Sequence, residues 1–233
     1  MLRSVFVFFC FFTLLSTLSA LSYTQDNVND RNTFEEVVYR SNEKGILPVK
    51  NYSSLEYNAR PQNWAIVRDH RGLMYFANNE ALLEFDGTRW RKINAPDEVT
   101  IRSLAIDENG RIYVGVEGDF GFISPDSTGK LIYRTLTHLL PEHYRDFGDI
   151  WHTLVTNEGV YFQSSNFIFR YEGDEIRIWQ AEKNNEFHSL YYVNETIYID
   201  QRNIGLKKMV DDRLVLIQGG EFLADEKIYI MME

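Results

Sequence analysis

Trp64, Trp90, Trp151 and Trp179 are the side chains best suited to hold a polar molecule with a flat face, since an indole joins a large apolar surface to one N–H donor. Trp64 and Trp151 stand in Gln62-Asn63-Trp64 and Asp149-Ile150-Trp151, each opening a short strand-like run. Trp90 and Trp179 fall late in theirs and read as packing residues. Metal chemistry is poorly served. His138 and His143 flank Glu142 at a spacing that does not place both imidazoles on one helical face, and no H-E-x-x-H pattern occurs. Asp107-Glu108-Asn109-Gly110 resembles the start of a calcium loop but lacks its later ligands, and a hairpin turn accounts for it. Glu117 and Asp119 are a carboxylate pair of the kind glycoside hydrolysis uses, but the sequence does not set their separation. There is no nucleophile elbow, phosphate-binding glycine loop or dinucleotide fingerprint. The one cysteine, Cys10, lies in an apolar amino-terminal run, which leaves the mature chain without disulfide or thiolate chemistry.

Something must hold the tryptophans in place, and composition says what. Apolar residues make up 44% and aromatic residues 15%, with 16 Phe and 14 Tyr, enough for a core and biased toward strands. The net charge of −10 argues against nucleic acid as a partner, because phosphates require a basic surface. Arg3 followed by the apolar run Val5 to Leu18, and then by Ala20-Leu21-Ser22, predicts a cleaved secretory signal over residues 1–22. The run is shorter than the roughly 20 residues that span a membrane. A polar linker is expected over 23–45.

From residue 46 the chain repeats. Units of similar grammar run 63–93, 102–136, 149–180 and 187–217, with the start of a fifth at 222–233. A tyrosine marks the second strand of each: Tyr75, Tyr113, Tyr161, Tyr198 and Tyr229. Intervals near forty, with four strands per unit, are the spacing of β-propeller blades. Turns such as Asp69-His70-Arg71-Gly72 and Asn157-Glu158-Gly159 supply the backbone freedom that tight hairpins need. The expected fold is therefore all-β, an incomplete propeller of about four four-stranded antiparallel blades. The extra residues Thr137 to Gly148 read as a flexible insertion between two blades, able to act as a lid.

Asn51-Tyr52-Ser53, Gln62-Asn63-Trp64, Asp69 with Gly72, Met74-Tyr75-Phe76-Ala77-Asn78, Leu82 to Gly87 and Trp90 carry a resemblance, repeated in Asp149-Ile150-Trp151 and Gly159 to Gln163. The stretch resembles the two-component-regulator propeller family of bacterial sensors, in the subgroup that ends in a triple-tyrosine domain. The fourth unit is degenerate, with Asn194-Glu195-Thr196 where a turn glycine belongs. The resemblance implies a periplasmic or extracellular propeller that senses a ligand. It also implies membrane and output domains further along, which this sequence does not contain.

First strands of a propeller line its axial channel, so their opening residues Trp64, Arg102, Trp151 and His188 are expected at one mouth. Loops on the same face add Asn78, Glu117, Asn166 and Arg202 as candidate ligand contacts. The expected partner is a small polar ligand of the oligosaccharide kind, for instance one bearing an acid for Arg102, with a homodimer left open. No cofactor, metal or catalysis is expected. The alternatives are a secreted scaffold that binds proteins and a propeller lyase or glycosidase.

Overall fold

Hairpin turns closed by aspartate set the geometry of each sheet. In the computed structural model, which describes residues 49–94 and 99–232, Gly72 and Gly110 take φ of +91° and +81°. The Asp69 carboxylate accepts the N–H groups of Arg71 and Leu73, each at 2.9 Å. Asp107 does the same for Asn109 and Arg111 at 3.0 and 2.8 Å. An aspartate at the first turn position thus replaces backbone partners that the reversal removes. The signal and linker expected over 1–22 and 23–45 lie outside the described residues. Tyr52–Glu233 forms one compact unit, distinct from Met1–Asn51.

The strands build four separate antiparallel sheets, each in simple sequence order. The first holds β1 (Asn63–Arg68), β2 (Met74–Asn78), β3 (Leu82–Phe85) and β4 (Trp90–Ile93). The second holds β5 (Ile101–Ile106), β6 (Ile112–Val116), β7 (Phe120–Pro125) and β8 (Leu131–Thr135). The third holds β9 (His152–Thr156), β10 (Gly159–Gln163), β11 (Phe167–Glu172) and β12 (Glu175–Gln180). The fourth holds β13 (Phe187–Val193), β14 (Thr196–Gln201), β15 (Gly205–Val210) and β16 (Arg213–Leu216). First strands lie innermost, β1 beside β5, β5 beside β9 and β9 beside β13.

The tyrosines fall in register. Tyr75, Tyr113, Tyr161 and Tyr198 face Val67, Ala105, Leu154 and Tyr191 of their first strands, and Glu84, Phe122, Arg170 and Lys208 of their third. The first three are knobs between blades. Tyr75 packs with Ile101 and Leu104 of the second blade, Tyr113 with Val160 and Phe162 of the third, and Tyr161 with Leu190 and Ile197 of the fourth. They are 1%, 5% and 0% exposed, whereas Tyr198 is half-buried on the face that no later sheet covers among the described residues. Each aromatic burial of this size removes some 150–250 Å² from water, and so the interfaces between blades hold most of the core.

The first blade is sealed on its other side. Helix α1 (Ser54–Tyr57) begins where the Glu56 carboxylate accepts the Ser53 N–H at 2.7 Å. It lays Tyr57, with Tyr52, over Trp90 and Phe85 at ring separations of 5.0–5.4 Å, and Phe76 packs on Trp90 from beneath at 5.1 Å. Trp90 is therefore a packing residue, but under this cap and not between blades. Trp179 packs between blades, stacked on Tyr161 and donating to Asp212 O at 2.9 Å.

Two expectations change. Residues 137–148 are no loose lid. They form two 3-10 turns, Thr137–Leu139 and Glu142–Tyr144, which press Leu140 and Phe147 into the core between the second and third blades. Phe147 meets Phe120 and Phe169 at 5.6 and 5.1 Å, and Arg145 Nε closes the segment on Leu140 O at 3.0 Å. The apolar residues scattered through that polar-looking stretch decide its place. The tail also differs. Gly220–Leu223 is a 3-10 turn, and residues 227–232 lie along the fourth blade without strand pairing. Ile228 N donates to Asp200 at 3.1 Å, and Tyr191 Oη donates to Ile228 O. A ladder needs a neighbouring strand on which to register, and the described residues supply none there.

Candidate functional site

Register breaks place three of the four opening residues. The pairing of β1 with β2 slips between Asn63 and Ala65, that of β5 with β6 between Ile101 and Ser103, and that of β13 with β14 between Phe187 and Ser189. The skipped residues are Trp64, Arg102 and His188. Trp151 holds the equivalent place without a recorded register shift, three residues before the Leu154 that faces Tyr161, and its N–H donates to Gln163 O at 2.8 Å. A bulge turns its extra side chain out of the sheet's alternation. Here it does so on the face that carries the loops from second to third strands.

Three of the four converge. The rings of Trp64 and Trp151 stand 6.1 Å apart, edge to face at 69°. The Arg102 guanidinium carbon sits 4.4 Å from the Trp64 centroid and 4.9 Å from that of Trp151. Trp64 Nε1 donates to Asn79 Oδ1 at 2.6 Å, fixing one indole to the β2–β3 loop. The indoles stay 43% and 38% exposed, much for so apolar a ring. Together they present a half-exposed aromatic surface.

Arg102 is not free to take an acid. Asp149, which the sequence reading did not single out as its partner, accepts from Arg102 Nε at 2.9 Å and Nη2 at 3.5 Å across the blade boundary. Asp149 also shares an isolated bridge with the exposed Glu117. The charge that was to recognise an acidic ligand is therefore neutralised from within.

The other candidates separate. Asn78 is fully buried, its amide donating to Arg60 O, Gln62 O and Asn63 Oδ1 at 2.6, 3.0 and 2.9 Å, which makes it a structural clamp and not a ligand contact. His188 stands against Tyr229 at 5.4 Å, away from the tryptophans, with Nε2 buried and unpartnered among the described residues. Burial holds its pKa below the ordinary histidine value, with the Asp200 carboxylate pulling the other way. Arg202 is half-buried near the same carboxylate, while Asn166 is exposed and holds the chain by accepting Ala181 N–H on its backbone oxygen at 2.9 Å. Asp119, half of the imagined catalytic pair, accepts from Thr135 and Thr137 hydroxyls at 2.7 and 2.9 Å and from its neighbour's N–H.

The opposite face is more concave. A groove of about 650 Å³ there is lined by Asp107, Glu108, Arg111, Glu158 and Glu172, among others. Its carboxylates are largely committed, Asp107 to its turn and Glu158 to Tyr161 and Arg170 at 2.9 and 3.1 Å. Uncommitted recognition surface is richer at the tryptophan mouth.

No family model matches the sequence, and no curated protein matches it. Among solved structures, a catalytically inactive virginiamycin B lyase from Staphylococcus aureus superposes with a TM-score of 0.55 at 13% identity, over 75% of this chain and 60% of that one. The extracellular domain of a putative hybrid two-component system from B. thetaiotaomicron gives 0.52 at 12% identity, over 75% and 25%. That of a putative one-component system from the same organism gives 0.50 at 20%, over 63% and 21%. The chain spans about half the length of the streptogramin lyases it matches, 54% and 53%. At such identities the likeness defines the fold, a β-propeller with four four-stranded blades. Its structural neighbours include extracellular domains of bacterial signalling systems.

Proposed function

We propose that this chain is an extracytoplasmic ligand-sensing module, the input portion of a bacterial signal-transduction protein, and not an enzyme. The observation that carries the reading is the set of equivalent strand-opening positions that gathers Trp64, Arg102 and Trp151 on one mouth with both indoles half open. A half-open aromatic platform suits a polar ligand with an apolar face, such as an oligosaccharide. The neighbours from signalling systems are consistent with this reading, and the lyases share the fold at comparable identity. With Asp119 tied into its loop, the mouth offers no ready acid–base pair.

The test is a panel of neutral oligosaccharides titrated into the full chain, read by calorimetry. Truncating an aromatic anchor costs about 2 kcal/mol, so Trp64→Ala and Trp151→Ala should each weaken a binder roughly thirtyfold. Trp90→Phe, beneath the cap, should leave it unchanged. Full affinity in both alanine variants would place the site elsewhere, with the groove beside Glu158 next in line.

A further inference from the structure

Arg102 lies where a ligand's cation would lie. Its guanidinium is enclosed by Trp64 at 4.4 Å, Trp151 at 4.9 Å and the Asp149 carboxylate at 2.9 Å. Two indoles and a counter-charge are the elements with which proteins hold guanidinium and alkylammonium groups, because the ring faces are negative and the carboxylate completes the charge balance. A purely structural cluster would bury its indoles as Trp90 and Trp179 are more fully buried. Here 43% and 38% of the two rings stay in solvent. Arg102 itself hangs on a flexible stem that can swing out without moving the sheet.

We propose that Trp64, Trp151 and Asp149 form a binding site for a guanidinium or alkylammonium group, and that Arg102 is its internal occupant, which must leave before a ligand's cation can enter. The inference rests on the reading of this mouth as the ligand site and sharpens it. The ligand recognised in the cage is positively charged at one end, and Arg102 sets the threshold for its admission. The acidic ligand first expected for Arg102 is the opposite case.

The probes are N-methylguanidinium and tetramethylammonium, with acetate as the anionic comparison, at constant ionic strength. Binding to the full chain is followed by tryptophan fluorescence and calorimetry. Arg102→Ala empties the cage and should bind both cations at least about tenfold more tightly than the unaltered chain, a gain within reach of two cation–π contacts. Adding Asp149→Asn or Trp151→Ala to that variant should abolish the gain. Arg102→Met keeps the apolar stem and gives a second reading if the alanine variant loses its melting transition. No gain in either folded variant overturns the proposal. So does acetate binding to the unaltered chain that disappears with Arg102, which would mark an anion site. Saccharide binding lost in Trp64→Ala and Trp151→Ala, with no cation bound in Arg102→Ala, sinks the cage and leaves the mouth as the sensing site.

Discussion

Replacing Arg170 by Met removes the charge that ties the third blade to the fourth. Arg170, with a side chain 9% exposed, donates from Nη1 to Asp212 at 2.9 Å, Glu158 at 3.1 Å and the Tyr161 hydroxyl at 3.4 Å. Its guanidinium carbon also lies 5.9 Å from the Tyr161 ring and 5.7 Å from Trp179. Breaking a fully buried ion pair costs about 3–5 kcal/mol, because the orphaned charge stays dry. Here the carboxylates can take up water again, since Glu158 is 64% and Asp212 35% exposed. Asp212 also keeps its pair with Arg177. Methionine retains the apolar stem, so the loss is that of charged hydrogen bonds, about 2 kcal/mol. For a unit of this size that lowers Tm by about 4–8 °C. Differential scanning calorimetry measures the shift, and a cycle with Asp212→Asn tests its origin. Residues in one network couple by about 0.5–3 kcal/mol. A Tm unchanged within error, or strictly additive effects of the two substitutions, would refute the idea that this network locks the blades.

Gly115→Ala should destabilise by about 1–3 kcal/mol in urea unfolding, because a Cβ there would stand 2.4 Å from both Ser103 Oγ and Ile150 Cγ2. His152 and His188 both have pKa values depressed by burial, against the upward pull of Gln163 and Asp200 respectively. The unfolded chain therefore takes up protons first as pH falls through about 6.5, so Tm should drop below that pH, and His152→Gln should flatten the drop. Tyr229, Ile230 and Met232 are 76%, 68% and 75% exposed, an apolar edge prone to pairing. Ile230→Lys should lower self-association in light scattering, and equal association would acquit that edge.

The repeating register was legible because two local signals agree in each blade: an Asp or Asn turn fixes where the second strand starts, and the tyrosine marks its inward face. His188 stands apart against Tyr229, but the closeness of Trp64, Arg102 and Trp151 followed from the same register. The bulges at Trp64 and Arg102 left no mark in the sequence, since a bulge is a property of two paired strands. Asp149 escaped notice as a partner because it meets Arg102 across 47 positions of chain and a blade boundary. Asn78 looked like loop chemistry, yet backbone carbonyls converging from residues 60–63 bury it. Residues 137–148 misled in the other direction, their Leu140 and Phe147 too thinly spread to show a period while still sufficient to anchor a short segment.

The tyrosine knobs also give the array a direction. Each blade carries the ring and its successor carries the socket, so Tyr75, Tyr113 and Tyr161 are all buried by the sheet that comes next in the chain. At the front, α1 and Tyr52 take the place of a predecessor and need no knob of their own kind. A gene built on such a rule can gain or lose whole units by duplication without rewriting any interface, because every unit brings the half that its neighbour lacks. Hydrogen exchange should show the same polarity, protection being deepest where a knob is seated and shallowest around Tyr198, which no later sheet covers among the described residues.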